Sequence, residues 1–437
     1  MRVIPEFKAA FDKITADPSL TTGSKFQDNT KLYHVDANLN LRDYIELAEF
    51  QVGGSYRMYS LNSKGSIFTD YNGAIDYGEY GMYTQMQKKF MEDRLKFTAS
   101  IRYDKAQNFK GNVSPRISFA YAGGENKNQN FRASFQTGFR NPTTQDQYIG
   151  LDAGSGILVG SAPDNLDRYT TSPLSVSGAG QAFTNAATIT LSGRKAYENS
   201  FSASSIANGT YKKAEITLVK PERVTAYEVG YRGLADVADS KISIDLSVYY
   251  NSYQDFISSK NVAVPFYGTV GDNGLSLLAL QNGDYKGFAV YTNSTADINS
   301  MGASIGLDTK IFDGFNLGLS YTYAKFDFDQ ATDPDFEAGF NTPEHKVKLQ
   351  FGKTEVFKNF GFNVNVRWQD EYYWESTFHD SMIDARTVID AQVNYSIPKW
   401  NSVVKLGGAN LGGKEYFSAP GVGAIGSQYF LSWTINN

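Results

Sequence analysis

Strict alternation of apolar and polar side chains recurs along this chain. In the segment 94–104, RLKFTASIRYD, every second residue from Leu95 to Tyr103 is apolar, and the residues between them are polar or charged. A period of two is the period of a β-strand with one dry face and one wet face. We predict about fifteen such strands, which begin near residues 31, 46, 79, 94, 113, 129, 222, 241, 297, 314, 344, 359, 386, 401 and 426.

The lengths of these strands and of their connections indicate what shields the apolar face from water. Many strands reach about ten residues, beyond the ~5–6 of globular proteins and close to the ~9–11 that a tilted strand needs to cross a bilayer. The connections alternate between short ones (42–45, 92–94, 123–128, 235–240, 312–314, 357–359 and 398–400) and long ones (61–78, 105–112, 141–221, 257–296, 329–343, 370–385 and 411–425). Outer-membrane barrels have short periplasmic turns and long outer loops. The sequence therefore predicts an all-β fold, a transmembrane antiparallel β-barrel; a large soluble β-sandwich or propeller is the alternative.

Composition removes several other classes of protein. No apolar run approaches the ~18 residues of a membrane-spanning helix. A net charge of −5 without a basic stripe argues against nucleic-acid binding. The chain has no cysteine, so a disulfide scaffold and a thiolate metal site are excluded. Tyrosine and tryptophan at strand ends suit an interfacial girdle.

The strand count predicts how the chain is organised. Phe7, Ala10, Phe11 and Ile14 follow helical spacing, so we interpret residues 1–30 as an extracellular loop segment with one short helix. Residues 31–437 are then the C-terminal part of a barrel, with a long extracellular loop at 141–221. An odd number of antiparallel strands cannot close a bacterial barrel, because the first and last strands would pair in parallel. We therefore expect this chain to be the C-terminal part of a longer protein.

Enzyme-like and metal-like motifs do not fit their context. GASIG (302–306) lies within an alternating strand, whereas a nucleophile elbow needs a strand-to-helix turn. GVGAIG (421–426) is followed by a strand instead of a helix. His34, His345 and His379 have no metal-ligand spacing, and DPDFE (333–337) lacks the regular oxygen spacing of an EF-hand, so a solvated loop is preferred there to a Ca²⁺ site. The sequence predicts no enzyme, metal or cofactor.

Two segments are candidate ligand sites because they combine polar and aromatic groups at strand ends. The predicted ligand-binding residues are Arg140, Asn141, Gln145, Gln147 and Tyr148 in the first segment and Tyr372, Tyr373 and Trp374 in the second. Aromatic platforms flanked by polar groups suit sugars, peptides or flat cofactors. The alternative is that Arg140 and its neighbours hold a loop and that the aromatic residues belong to the interfacial girdle.

The amino-acid sequences of three segments resemble those of TonB-dependent outer-membrane receptors. These segments are NFRASFQTGFRNPTTQDQYIGL (130–151), KPERVTAYEVGYRG (220–233) with ISIDLSVYYNSYQDFI (242–257), and the closing GGANLGGKEYFSAPGVGAIGSQYFLSWTIN (407–436). Among the subgroups of this family, the sequence most resembles the one with a carboxypeptidase-regulatory-like domain. This resemblance implies about 15 strands of a 22-stranded barrel, whose N-terminal plug is not in this chain.

The resemblance also implies a function and partners. It implies import of a scarce nutrient across the outer membrane of a Gram-negative bacterium, driven by the TonB–ExbB–ExbD complex through a missing N-terminal region. Outer-membrane lipid would surround the barrel, and a surface lipoprotein is a possible partner. A passive outer-membrane channel and a structural member of an outer-membrane assembly are the alternatives.

Overall fold

The computed structural model describes residues 4–17, 22–25, 27–154, 156–237, 240–272, 274–312, 314–376 and 379–435. The predicted turns at 235–240 and 312–314 lie partly outside these residues. Among the described helices, none has both the length and the apolar character needed to span a membrane.

Long strands dominate the chain. Its first part contains α1 (Pro5–Ala16), β1 (Lys31–Asn40), β2 (Glu49–Leu61), β3 (Ile75–Phe90), β4 (Leu95–Ala106), β5 (Asn112–Gly123) and β6 (Gln129–Arg140). Short elements follow: α2 (Thr144–Tyr148), β7 (Gly150–Asp152), β8 (Ile157–Val159), α3 (Asn165–Arg168), β9 (Leu174–Ser175), α4 (Gln181–Thr184), β10 (Thr188–Ile189), α5 (Gly193–Glu198), β11 (Phe201–Ser202) and α6 (Ala203–Ala207).

The remainder returns to long strands. It contains β12 (Glu222–Val237), β13 (Ser240–Gln254), β14 (Ile257–Pro265), α7 (Leu275–Gln281), β15 (Tyr285–Asn293), β16 (Ile298–Ile311), β17 (Phe315–Asp327), β18 (His345–Phe357), β19 (Phe360–Gln369), β20 (Tyr372–Trp374), β21 (Ser381–Ile383), β22 (Arg386–Ile397), β23 (Ser402–Ala409) and β24 (Gln428–Ile435).

One antiparallel sheet of fifteen strands organises the fold. Its order is β1-β2-β3-β4-β5-β6-β12-β13-β16-β17-β18-β19-β22-β23-β24, so each long strand pairs with the next long strand along the chain. These are the fifteen strands that alternation predicts, and the largest offset is at β3, which begins at Ile75 instead of near residue 79. Among the described residues, β1 and β24 each pair with one neighbour, and the sheet is not closed.

The two faces of this sheet differ in chemistry. Large apolar side chains such as Ile101, Val113 and Val248 are exposed on one face. Charged side chains meet on the other face, where Arg102 pairs with Asp104 and Arg367 Nη2 lies 2.7 Å from Asp390 Oδ2. Exposed apolar surface of this extent is unfavourable in water, so this face requires an apolar surrounding.

The two ends of the strands also differ. One end, which we call the short-turn edge, holds the connections β1–β2, β3–β4, β5–β6, β12–β13, β16–β17, β18–β19 and β22–β23, all of them short except the eight residues 41–48 of β1–β2. All other connections between neighbouring strands lie at the opposite end, the long-loop edge. The short/long alternation of the sequence thus follows the two edges, with one exception: 107–111 at the long-loop edge is shorter than 41–48 at the short-turn edge, because β4 and β5 extend into the predicted loop 105–112 and β2 begins later than predicted.

The two longest connections fold together into a loop subdomain, residues 141–221 and 257–293. The sequence pattern predicted no elements there, yet the subdomain has a five-stranded sheet in the order β11-β14-β15-β8-β7, with β8 and β15 parallel. Its core includes Ile157, Val159, Leu191, Val264 and Val290, all fully buried. The elements were missed because most have two to six residues, too few to establish a period.

A buried ion pair joins this subdomain to the β17–β18 connection. Lys260 Nζ lies 2.6 Å from Asp333 Oδ1, and both side chains are only 3% exposed. Asp333 also accepts hydrogen bonds from the Ser294 hydroxyl at 2.8 Å and the Thr295 backbone N–H at 3.1 Å. These contacts satisfy a carboxylate that would be costly to bury alone.

Candidate ligand sites at the long-loop edge

The first predicted segment begins where β6 ends and the loop subdomain begins. The Asp146 carboxylate accepts the Thr143 backbone N–H at 2.8 Å, and the Thr143 hydroxyl accepts the Asp146 backbone N–H at 3.1 Å. This capping box starts α2 directly after Pro142. Burial raises the pKa of Asp146, and the hydrogen bonds from Thr143 oppose that rise. The segment is therefore a defined strand-to-helix junction.

Arg140 contacts the base of the loop subdomain. Its Nη2 lies 2.8 Å from Glu222 Oε2 at the start of β12, and the same carboxylate oxygen accepts the Ile257 backbone N–H of β14 at 3.0 Å. Arg140 thus helps to hold three strand ends together. This geometry agrees with the structural alternative for Arg140, although half of its side chain remains exposed.

Gln147 and Tyr148 are placed differently from the sequence-based expectation. Both residues are buried, and the Asn108 amide donates hydrogen bonds to Gln147 Oε1 at 2.8 Å and to the Tyr148 hydroxyl at 2.7 Å. Gly160 approaches so closely that a Cβ there would lie 2.4 Å from the Gln147 carbonyl carbon. Burial raises the pKa of Tyr148. These two side chains do not face an open vestibule, because the fold uses them to pack the loop subdomain onto the strands.

Asn141 lines a polar pocket on the charged face of the sheet, which we call the inner pocket. Its cavity has a volume of about 350 Å³. The charged residues in its lining are Arg57, Glu79, Arg102, Asp104 and Lys105. Asn141 donates a 3.4 Å hydrogen bond to Glu79, while its own Oδ1 is buried without a partner among the described residues. Gln145 instead donates to the Tyr291 hydroxyl at 2.8 Å.

The second predicted segment forms a small hairpin at the same edge. β20 pairs with β21, with Tyr373 opposite Met382. Tyr372 and Tyr373 line a cavity of about 460 Å³, but Trp374 does not. Tyr373 is 53% exposed, so its ring is available to a ligand. The structure therefore brings together two of the three predicted aromatic residues.

Other groups in this second cavity were not predicted from the sequence. The carboxylates of Glu344, Asp370, Glu371 and Glu375 and the rings of Phe326, Phe328 and Phe340 also line it. These residues come from two connections and the end of β17, so no single stretch of sequence shows them together. We call this cavity the acidic aromatic pocket.

The enzyme-like and metal-like motifs occupy ordinary structural positions. Ser304 lies within β16, and its hydroxyl is 2.7 Å from that of Ser247 on the neighbouring strand. His34 Nδ1 accepts a hydrogen bond from Arg57, and His345 Nδ1 lies 2.8 Å from the Tyr321 hydroxyl. In the part of the chain that the structure describes, no three acidic or histidine side chains converge to hold a metal. The carboxylate of Asp333 is instead engaged with Lys260.

Comparison with known proteins identifies the family. A family model described as "TonB dependent receptor-like, beta-barrel" matches residues 7–411. The chain belongs to the TonB-dependent receptor family. This membership confirms the resemblance seen in the sequence and the barrel fold that alternation predicts. A comparison with curated proteins finds no match.

Solved structures show the same receptor fold. The siderophore receptor PirA from Acinetobacter baumannii aligns with a TM-score of 0.57 at 12% identity, over 92% of this chain and 54% of PirA. A mutant ferric enterobactin receptor PfeA from Pseudomonas aeruginosa, solved with enterobactin, gives 0.59 at 13%, over 95% and 55%. The iron transporter FrpB from Neisseria meningitidis gives 0.56 at 12%, over 92% and 55%. This TonB-dependent receptor chain thus spans about half the length of these proteins.

Proposed function

We propose that this receptor imports a scarce nutrient ligand across the outer membrane in a TonB-dependent manner. The family match over residues 7–411 carries the proposal. The solved relatives are named as siderophore receptors and an iron transporter, which supports nutrient uptake as the general function. The ligand of this chain is not transferred from them, because identities of 12–13% support only the fold.

The two faces and two edges of the sheet support a specific orientation. The exposed apolar face contacts outer-membrane lipid, and the charged face lines the interior of the barrel. The long-loop edge, with the loop subdomain, faces the outside of a Gram-negative cell. Within residues 1–30, α1 and the other described residues also lie on this side. A ligand arriving from outside then meets the acidic aromatic pocket and the inner pocket.

Energy coupling requires a partner on the other side of the membrane. We propose that the TonB–ExbB–ExbD complex supplies it through a region outside this chain. A surface lipoprotein remains a further expected partner. Within the chain, Arg140, Asn141, Gln145, Tyr372, Tyr373 and Trp374 are the proposed ligand-binding residues, whereas Gln147 and Tyr148 support them from the packed interior.

The test combines TonB binding with conductance. The receptor is extracted intact from the outer membrane and passed over immobilised periplasmic domain of TonB, with an unrelated passive porin as the control. We expect retention of the receptor but not of the porin, together with a closed baseline in a planar bilayer. No retention together with a steadily open pore would instead support a passive channel.

The aromatic hairpin has its own test within this function. Once a ligand has been identified by uptake, Tyr372→Ala combined with Trp374→Ala removes two of the three aromatic rings of β20. We expect weaker ligand affinity with unchanged TonB retention. Unchanged affinity would remove the hairpin from the ligand site while leaving the proposed import function intact.

A further inference from the structure

The acidic aromatic pocket combines two features that select the charge of its ligand. Four carboxylates, those of Glu344, Asp370, Glu371 and Glu375, line it, and no lysine, arginine or histidine is among its described lining residues. Five aromatic residues also line the pocket. We infer that this pocket binds an organic cation that carries an ammonium or guanidinium group. The inference rests on the proposed import function for its physiological role and deepens it by naming a ligand class.

The carboxylates are not neutralised by the protein. Among the described residues, the side chains of Glu344 and Glu371 make no hydrogen bond or ion pair, and Asp370 and Glu375 accept only the backbone N–H groups of Glu371 and Gly339. Lys325 interacts with Glu344 only at longer range and is already 3.0 Å from Asp327. The cavity therefore has a negative potential that a cationic ligand relieves.

Further acids lie close to the pocket residue Glu375. Glu337 is near enough to Glu375, Asp335 and Asp380 for their charges to act on it. Burial, with smaller contributions from Asp380, Glu375 and Asp335, raises the pKa of Glu337 to about 7. The neighbouring acids thus add to the effect of burial on this carboxyl. An arriving cation would favour its ionised form.

Several aromatic residues of the pocket pack against neighbouring rings. The rings of Phe326 and Phe340 stack with centroids 5.2 Å apart, and Phe328 packs edge-on against buried Phe336 at 4.9 Å. Tyr372 and Tyr373 lie on the opposite connection, and the ring of Tyr373 is mostly exposed. Organic cations bind aromatic faces within about 6 Å of the ring centroid. Rings held by neighbouring rings keep such faces in place without a ligand.

Other ligand classes fit this pocket less well. An anionic ligand would meet four carboxylates and no compensating cation. A bare metal ion needs converging oxygen ligands, and no three acids or histidines converge in the part of the chain that the structure describes. A volume of about 460 Å³ also exceeds the needs of a bare ion. A neutral sugar could use the rings but would gain nothing from the carboxylates.

Direct titration of the purified receptor in nonionic detergent tests this inference. The probes are spermidine, the tripeptide Gly-Arg-Gly amide, neutral maltotriose and anionic citrate, each titrated at pH 8 in low salt by calorimetry. We expect spermidine or the arginine peptide to bind and the neutral and anionic probes not to bind. Tighter binding of spermidine indicates a free amine as the natural source, and tighter binding of the peptide indicates a basic side chain; both support an organic-cation site.

Matched variants locate the binding. Glu344→Gln with Glu371→Gln preserves shape, and neither carboxylate supports the fold, so we expect cation affinity to fall at least tenfold. Tyr373→Ala should weaken it about threefold or more. Glu125→Gln and Tyr44→Ala make the same chemical changes at the short-turn edge and should leave affinity unchanged.

Two results would overturn the inference. One is binding of neither cation, and the other is equal affinity in the wild-type receptor and the double glutamine variant. Because titration does not depend on TonB, loss of TonB retention with normal cation binding would refute the import function alone. Normal TonB retention without cation binding would refute the cation site alone.

Discussion

The fifteen-stranded sheet and the loop subdomain both contain β-strands, but they differ in where they place apolar side chains of the same type. Val248 on the sheet is 52% exposed, whereas Val159, Val264 and Val290 of the loop subdomain are fully buried. Removing apolar surface from water stabilises a protein by about 25 cal/mol per Å². One chain therefore contains a region that buries its apolar groups in itself and another that leaves them for lipid.

Charged pairs divide in the same way. On the charged face of the sheet, Arg132 lies 3.3 Å from Glu228 and 3.6 Å from Asp245, and its side chain is 41% exposed. Lys260 and Asp333 are almost completely buried. Solvated pairs tolerate loss of one partner, but a buried pair leaves an uncompensated charge when one partner is removed. Four experiments test this contrast, from the largest expected effect to the smallest.

The buried ion pair should give the largest effect. Asp333→Ala leaves the Lys260 ammonium buried without its counter-charge, so we expect a loss of about 3–5 kcal/mol in the stability of the loop subdomain. Limited proteolysis at increasing temperature, read at the loop subdomain, measures the change. Glu198→Ala removes one solvated partner of Arg194 in the same subdomain and should cost no more than about 1 kcal/mol. Similar protease sensitivity in both variants would contradict the contrast.

Adjacent positions on β5 test the two faces of the sheet. Ile117 is 41% exposed on the apolar face, and Ser118 is the next residue on the charged face. Ile117→Arg places a charge in lipid and should cost about 2–4 kcal/mol, whereas Ser118→Arg should cost much less. Urea unfolding in lipid vesicles, read by heat-modifiable migration on gels, compares them. Equal losses would mean that the apolar face does not meet lipid.

The arginine network on the charged face should give a smaller effect. Arg132→Ala removes ion pairs with Glu228 and Asp245, but all three side chains are more than one-third exposed. We expect a loss of at most about 1 kcal/mol by the same urea assay. A loss as large as that of Ile117→Arg would show that this face is dry.

Glu337 should give an effect that is confined to a pH dependence. The folded protein holds the Glu337 proton up to about pH 7, above its ordinary value of 4.5, because of burial and nearby acids. The folded state then binds more protons than the unfolded chain, so the Glu337 contribution to stability falls as pH rises from 4.5 to 7. Glu337→Gln should flatten this part of the stability profile.

A second variant separates the charge contribution from burial. Asp380→Asn removes a negative neighbour and keeps the oxygen that accepts the Ser376 N–H, so the midpoint of Glu337 should move toward lower pH by a fraction of a unit. Carboxyl ¹³C NMR of the glutamate-labelled receptor measures both midpoints. An unchanged midpoint would leave burial as the whole cause.

The amino-acid sequence alone determined the large sheet. Alternation over ten or more residues is a local signal, and each strand of the sheet shows it again. It also determined the edge at which each connection lies, since antiparallel neighbours alternate in direction. The pairing of Arg102 with Asp104, two residues apart on one strand, follows from the same period. For these features, neighbouring residues carry the information.

Only the tertiary structure decided which distant residues meet at the long-loop edge. Lys260 and Asp333, or Glu344 and Tyr373, come from different connections, and no local period relates them. Gln147 and Tyr148 illustrate the same limit of sequence-based prediction. Their residue types suit a binding surface, but the fold buries both side chains against Asn108. Side chains along a strand alternate between its two faces, so the pattern is visible in neighbouring residues. Loop packing depends instead on contacts between segments far apart in the chain.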